Sequence, residues 1–206
     1  MAIASLSRFT VPLASDQSAS SQGLLMPKLK YRFRVSFEGF GVSGATTELT
    51  KQVVSAARPT ATFANQVIEV YNSKINYAGK VSWEAMAIKL RDDINGNVTK
   101  LVGEQMQRQF DFFEQSSSAA AGDYKFTMRI EMLDGGNGNN AATVLETWEC
   151  YGCYVEKAVY NNVAYSEQGP VEIDITIRPD NCLQAPVGSG IGATVTRKAG
   201  TLATAS

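Results

Sequence analysis

Histidine is absent from the 206-residue chain. That removes Ser-His-Asp triads, Cys-His pairs, histidine general bases and every metal site built on imidazole. Cysteine is scarce: Cys150, Cys153 and Cys182 are the only three, too few and too odd in number for a disulfide framework. Cys150 and Cys153 have C-x-x-C spacing, but they sit in an aromatic strand pattern with no second ligand pair. The sequence therefore favours ordinary strand cysteines over a redox or metal motif, with disulfides between subunits in an oxidising exterior as the alternative for all three. An excess of charge is missing too. Lys plus Arg number 19 and Asp plus Glu 20, which argues against a protein that grips nucleic acid by neutralising phosphates. No run approaches the roughly 18 apolar residues that span a membrane. Residues 1–23 lack the charged and apolar regions of a signal peptide. These absences predict a soluble chain made in a cytosol, with no membrane partner, no cofactor and no catalytic centre.

The pattern of what is present divides the chain in three. Residues 1–26 and 183–206 are rich in Ser, Ala, Gly and Thr, and read as flexible arms around a core of 27–182. Residues 30–37 alternate polar and apolar, with Tyr31, Phe33, Val35 and Phe37 on one strand face. Residues 50–57 read as a second strand, stopped by Arg58-Pro59. Residues 66–79 read as two short strands around a polar centre, Asn72-Ser73-Lys74, forming a projecting hairpin. Residues 81–91 follow as one long strand, with Trp83 and Ile88 on opposite faces. The period then changes: Val98, Leu101, Val102, Met106, Phe110 and Phe113 predict an amphipathic helix over 97–115, capped by Asn97. A small-residue linker covers 116–122, and strands are expected over 123–133, 144–160 (bulged at Gly152) and 171–178. The Gly135–Asn140 stretch reads as a turn and not a phosphate loop, because no helix with Gly-Lys-Ser/Thr follows. The sum is a mainly β protein: an antiparallel sandwich or barrel of about six to eight strands with one helix packed on it.

The side-chain groupings that could carry chemistry each have a plainer reading. Asp92 and Asp93 are adjacent, so on a strand they would point to opposite faces. Glu172 and Asp174 share a face and could serve a glycosidase or a metal, but such pairs are more often a solvated strand face. Trp83 or Trp148 could form the stacking platform of a carbohydrate-binding module, although strand aromatics are more often core. Lys28, Lys30, Arg32 and Arg34 would line one face of the first strand, as a contact for nucleic acid or acidic partners or simply as solvated charge.

The order of these parts resembles the tail tube protein of contractile-tailed bacteriophages. The resemblance is carried by YRFRVSF, a strand ending in Ala-Arg-Pro, the segment Val70–Gly79 running into VSWEAMAIKLRDD, a helix ending in Phe110–Phe113, and the strands WECYGCYVEKAVY and VEIDITIR. It spans about residues 27–182. It implies a hexameric ring in which one sheet per subunit joins a continuous inner β-barrel. Rings would stack into a hollow tube inside a contractile sheath, as a virion component assembled in the host cytoplasm. The implied partners are further copies of the chain, the sheath, the tape measure protein, and the baseplate and terminator proteins. Double-stranded DNA would pass through without sequence-specific contact. On this view the hairpin residues Tyr71, Asn72, Ser73, Lys74, Ile75 and Asn76 reach the next ring, and Glu172 and Asp174 help line the channel. The related alternatives are a type VI secretion tube, the tube of a phage-tail-like particle, or a baseplate protein that starts the tube.

Overall fold

The computed structural model describes residues 28–42, 46–134 and 142–186. The expected N-terminal arm, most of the C-terminal one and the Gly135–Asn140 turn lie outside the described residues. The chain divides after Arg32. On the near side, residues 29–32 form a turn closed by the Arg32 N–H donating to the Leu29 carbonyl at 3.2 Å. This corrects the first strand, which begins only at Phe33. Of the expected basic stripe only Arg34 lies on it, and Arg34 pairs with Glu131 at 2.6 Å.

On the far side, the described residues form eleven strands, two α-helices and one short 3-10 helix. In order they are β1 (Phe33–Glu38), α1 (Thr46–Lys51), β2 (Val53–Ala56), β3 (Ala61–Val70), β4 (Ser73–Trp83) and β5 (Met86–Arg91). Then come α2 (Asn97–Gln109), β6 (Phe110–Asp111), β7 (Ser116–Ser117), the 3-10 turn Ala121–Asp123, β8 (Phe126–Leu133), β9 (Val144–Tyr160), β10 (Glu172–Arg178) and β11 (Asn181–Pro186). Seven strands make one antiparallel sheet in the order β1-β8-β9-β10-β5-β2, with β11 also on β9. β9 serves both halves: its first part pairs with β8 and β11, its last part with β10.

Two bulges let β9 do this. One falls at Tyr151-Gly152, where Gly152 has φ 65, and the other at Glu156-Lys157. Each adds a residue and reverses which parity faces inward. Cys150, Cys153 and Val155 consequently all reach the core. β10 needs no such device, since Ile173, Ile175 and Ile177 alternate regularly inward. One core cluster joins Val35 and Phe37 of β1, Met128 and Ile130 of β8, Ile88 and Leu90 of β5, the β10 isoleucines, and Val98, Leu101 and Val102 of α2. Each such side chain contributes roughly 1.5–3 kcal/mol on burial.

The helices depart from expectation. α1 replaces the start of the expected second strand, which survives as β2 from Val53: Leu49 is fully buried, and its tertiary packing outweighs the β-branched Thr46, Thr47 and Thr50. The described residues thus include two α-helices where one was expected. α2 stops at Gln109, because Phe110 is extended (φ −151, ψ 122), so Phe110 and Phe113 are not part of its buried stripe. Two buried or half-buried amides hold α2 in place. Gln105 accepts from the Gly41 N–H at 3.0 Å and donates to the Tyr124 carbonyl at 2.6 Å. Gln109 donates to and accepts from the Val155 backbone, both at 2.9 Å.

Asp92 and Asp93 are cap residues and do not lie on a strand. Asp93 accepts from the Asn97 N–H and from its amide, both at 2.8 Å, and Asp92 accepts from the Thr99 hydroxyl and N–H. Asn97 is therefore the capped residue, not the cap; Gly96, at φ 66, takes that position.

Candidate assembly surface

The expected long strand over 81–91 is interrupted at Glu84-Ala85, and the interruption frees a hairpin. The Glu84 N–H bonds the Thr60 carbonyl at 3.0 Å, the Thr62 hydroxyl bonds Glu84 at 2.9 Å, and Trp83 packs on the core. β3 and β4 then run outward as a separate two-stranded sheet, longer than the expected 66–79 and exposed along almost its whole length. A bulge on β4 falls beside Gly79, where a Cβ would meet the Ala64 carbonyl oxygen at 2.9 Å, so only glycine allows that close approach.

The register sorts the hairpin into two unlike faces, because directly opposed residues share a face. On one, Ile68 stands opposite Ile75, with Val70 and Tyr77 beside them, all about half exposed. On the other, the tip is polar: Glu69 pairs with Lys74 at 2.8 Å and the Asn65 amide bonds Asn76 at 3.2 Å, with Val67 beside them and Phe63 opposite Val81 nearer the base. The six expected tip residues are thereby divided. Tyr71 and Asn72 make the turn, Ser73 and Ile75 fall on the apolar face, and Lys74 and Asn76 on the polar one. Tyr71 is fully exposed at φ 48, a left-handed conformation that costs a non-glycine residue roughly 1–2 kcal/mol. Ile68, Val70 and Tyr77 were not singled out in the sequence. The signal was the i, i+2 spacing read against the correct turn position.

The base of the hairpin adjoins the Met86 end of β5. At the opposite end of β5, the Asp92 N–H bonds the Val171 carbonyl at 2.9 Å, bringing the loops 92–96 and 161–171 together. Those loops expose Ile94, Val163, Tyr165 and Val171. The two ends of the sheet therefore carry separate apolar surfaces.

The side of the sheet away from the core is a lattice of cross-strand ion pairs. Arg34–Glu131, Arg129–Glu149 at 3.0 Å, Arg178–Glu156 at 2.8 Å and Lys89–Glu172 at 3.0 Å tie neighbouring strands. Glu172 and Asp174 both belong to this side. Lys89 reaches Asp174 at 3.8 Å as well, and the Asn161 amide bonds Asp174 at 3.3 Å. The hydrogen bond from Lys89 to Glu172, with the charge of Asp174, holds the lysine above its ordinary pKa. Arg178 holds Glu156 below its own, and Glu149 is lowered first by the Tyr151 hydroxyl and then by Arg129. The surface is polar yet its charges are mutually compensated.

The tryptophans offer no open platform: Trp83 and Trp148 are both half-buried against the core, and the Trp148 indole donates to buried Glu146 at 2.7 Å. The three cysteines are free and buried.

No protein-family model matches the sequence, and neither does any curated protein. Solved structures do match. A chain of the anti-feeding prophage tube-terminating cap gives a TM-score of 0.59 at 12% identity, covering 86% of this chain and 100% of that one. A chain of the anti-feeding prophage baseplate gives 0.57 at 10% identity, covering 79% and 98%. A chain of the sheath–tube complex of the PVC extracellular contractile injection system gives 0.51 at 16% identity, covering 84% and 100%. The chain has a tail-tube-like fold. Among the described residues, the hairpin, the ion-paired side of the sheet and the loops around Ile94 and Tyr165 all lie outside the core.

Proposed function

We propose that this chain is the structural subunit of a phage tail tube. Six copies close into a ring, rings stack into a hollow tube inside a contractile sheath, and DNA leaves through the channel. The observation that carries this reading is the hairpin of residues 61–83: a two-stranded ribbon exposed along almost its whole length, with Ile68, Val70, Ile75 and Tyr77 on one face. Such a face marks a protein contact. Because the hairpin leaves one end of the sheet and the loops around Ile94 and Tyr165 cap the other, copies can stack head to tail, the heterologous arrangement that repeats without limit along an axis. Tyr71 to Asn76 are the residues that reach the adjacent ring.

Within a ring, pairing of sheet edges between neighbours would form the inner barrel and remove exposed edges. We place the ion-paired side of the sheet, with Glu172 and Asp174, on the channel. Compensated charge there suits a conduit, since a basic wall would hold DNA phosphates. The sheath, tape measure, baseplate and terminator proteins are the further partners of this reading, and the virion is its location. The role is one of assembly, without catalysis.

The test is negative-stain electron microscopy of the concentrated, purified chain. Sixfold rings or tubes of uniform diameter support the reading, and single rings that never stack would move the assignment to a cap or tube initiator. A strictly monomeric chain that binds sugar would replace it with a carbohydrate-binding module.

A further inference from the structure

Three thiols lie close together in the sheet, away from the surfaces described above. Cys150 on β9 stands directly opposite Cys182 on β11. Cys153 lies across the Gly152 bulge and donates to the Cys150 carbonyl oxygen at 3.3 Å. Opposed residues share a face, and the Cys150 and Cys182 side chains are both buried on the same side of the strand pair. Opposed residues of antiparallel strands have Cα atoms about 4.5–5.5 Å apart, inside the roughly 4.4–6.8 Å that a disulfide bridges. The three thiols do not form a metal-holding group.

We infer that Cys150 and Cys182 are a disulfide-forming pair that closes within one chain when it meets a small oxidant such as a peroxide, fastening β11 to β9. Their roles differ. The Cys150 thiol opposite keeps Cys182 below its ordinary pKa, whereas burial pushes Cys153 up to about 12. Cys182 is thus the readier thiolate. Its sulfur attacks a peroxide oxygen, the O–O bond breaks, and a sulfenic acid and one water result. The Cys150 sulfur, giving up its proton, then displaces the hydroxyl as a second water, and the S–S bond forms. Two thiols lose two electrons and the peroxide gains them. Access comes from the edge: β11 pairs only with β9 among the described strands and Leu183 beside Cys182 is exposed, so local lifting of β11 opens both thiols. The closed bridge encircles residues 151–181, a loop long enough for its closure to stabilise the fold.

This inference does not depend on the tube reading. To test it, the full chain is reduced, freed of reductant, treated with hydrogen peroxide, alkylated and mapped by mass spectrometry. The expected result is a Cys150–Cys182 linked peptide in the wild type and in Cys153→Ser. The protein should remain a monomer on a non-reducing gel, with a Tm several degrees higher that dithiothreitol reverses. In Cys182→Ser, peroxide should leave the Tm unchanged; should that variant not fold, the wild-type map decides alone. A Cys150–Cys153 linkage, links only between chains, or three alkylated thiols in a chain that keeps its circular dichroism would each overturn it.

Discussion

Asp180 lies directly over Gly152: a Cβ on that glycine would come within 2.8 Å of the Asp180 Cγ and 3.0 Å of its Cβ. Asp180 is itself fixed, by a pair with Lys125 and by its N–H donating to the Tyr151 carbonyl at 3.1 Å. Space and the positive φ therefore both demand glycine at the bulge. Gly152→Ala should lower stability by about 1–3 kcal/mol, read as a fall in Tm. Adding Asp180→Ala should recover the part due to the clash and leave the part due to the dihedral.

Ile68 and Ile75 face each other across the hairpin and support no core. Replacing each with Lys should change stability by no more than about 0.5 kcal/mol, as for ordinary surface positions, while abolishing rings or tubes. Sedimentation and electron microscopy read the assembly; a double variant that assembles like the wild type would remove the apolar face from the interface.

The Asp93 carboxylate bonds both the backbone and the side-chain amide of Asn97. Asp93→Ala should cost about 0.5–2 kcal/mol, typical of a lost helix cap. Chemical denaturation should report the loss as a lower midpoint with an unchanged slope.

Glu149, Glu156 and Asp111 have folded pKa values below their ordinary ones, Asp111 through the N–H groups of Glu114 and Phe113. Their stabilisation is complete above the ordinary carboxylate values, 4.5 for glutamate and 3.8 for aspartate, and is lost as pH falls through the lower folded values. Lys89 and Lys125 are raised, so their contribution is complete below the ordinary 10.5 and is lost as pH rises through the folded values. With no histidine to titrate between, Tm measured across pH 5 to 8 (roughly the span over which histidine changes charge) should be nearly flat. A sigmoidal step in that range would contradict the assignment.

Glu172→Lys with Asp174→Lys would convert a compensated patch into a basic one. Assembled tubes of the variant should retain double-stranded DNA in a salt-dependent way, and wild-type tubes should not. Equal retention by both would move these residues off the channel.

Much of the fold was legible because periodicity is a direct record of burial. β10 reads from Glu172 to Arg178 without ambiguity, since its inward isoleucines alternate with polar residues. The start of the helix at Asn97 was also visible. Three features were hidden for separate physical reasons. α1 is six residues long, and its reason to be helical is the burial of Leu49, a tertiary fact. The end of α2 was obscured because Phe110 and Phe113 continue the helical spacing even though the backbone has turned extended. β11 gave no alternating signal, because of its residues with described burial only Cys182 is buried. The hairpin was visible as a hairpin. Its two faces were not, because they depend on placing the turn at Tyr71-Asn72 and on the bulge beside Gly79.

The ribbon of residues 61–83 has no packing layer of its own, and two-stranded ribbons in water are only marginally stable. Its ordering in an assembly must then be met by the contact that receives it, and a growing end presents a more complete receptor than a free subunit does. Elongation should outrun spontaneous nucleation. A solution of this chain should show a lag that preformed seeds abolish, so that length is controlled by where growth begins, not by how much subunit is made.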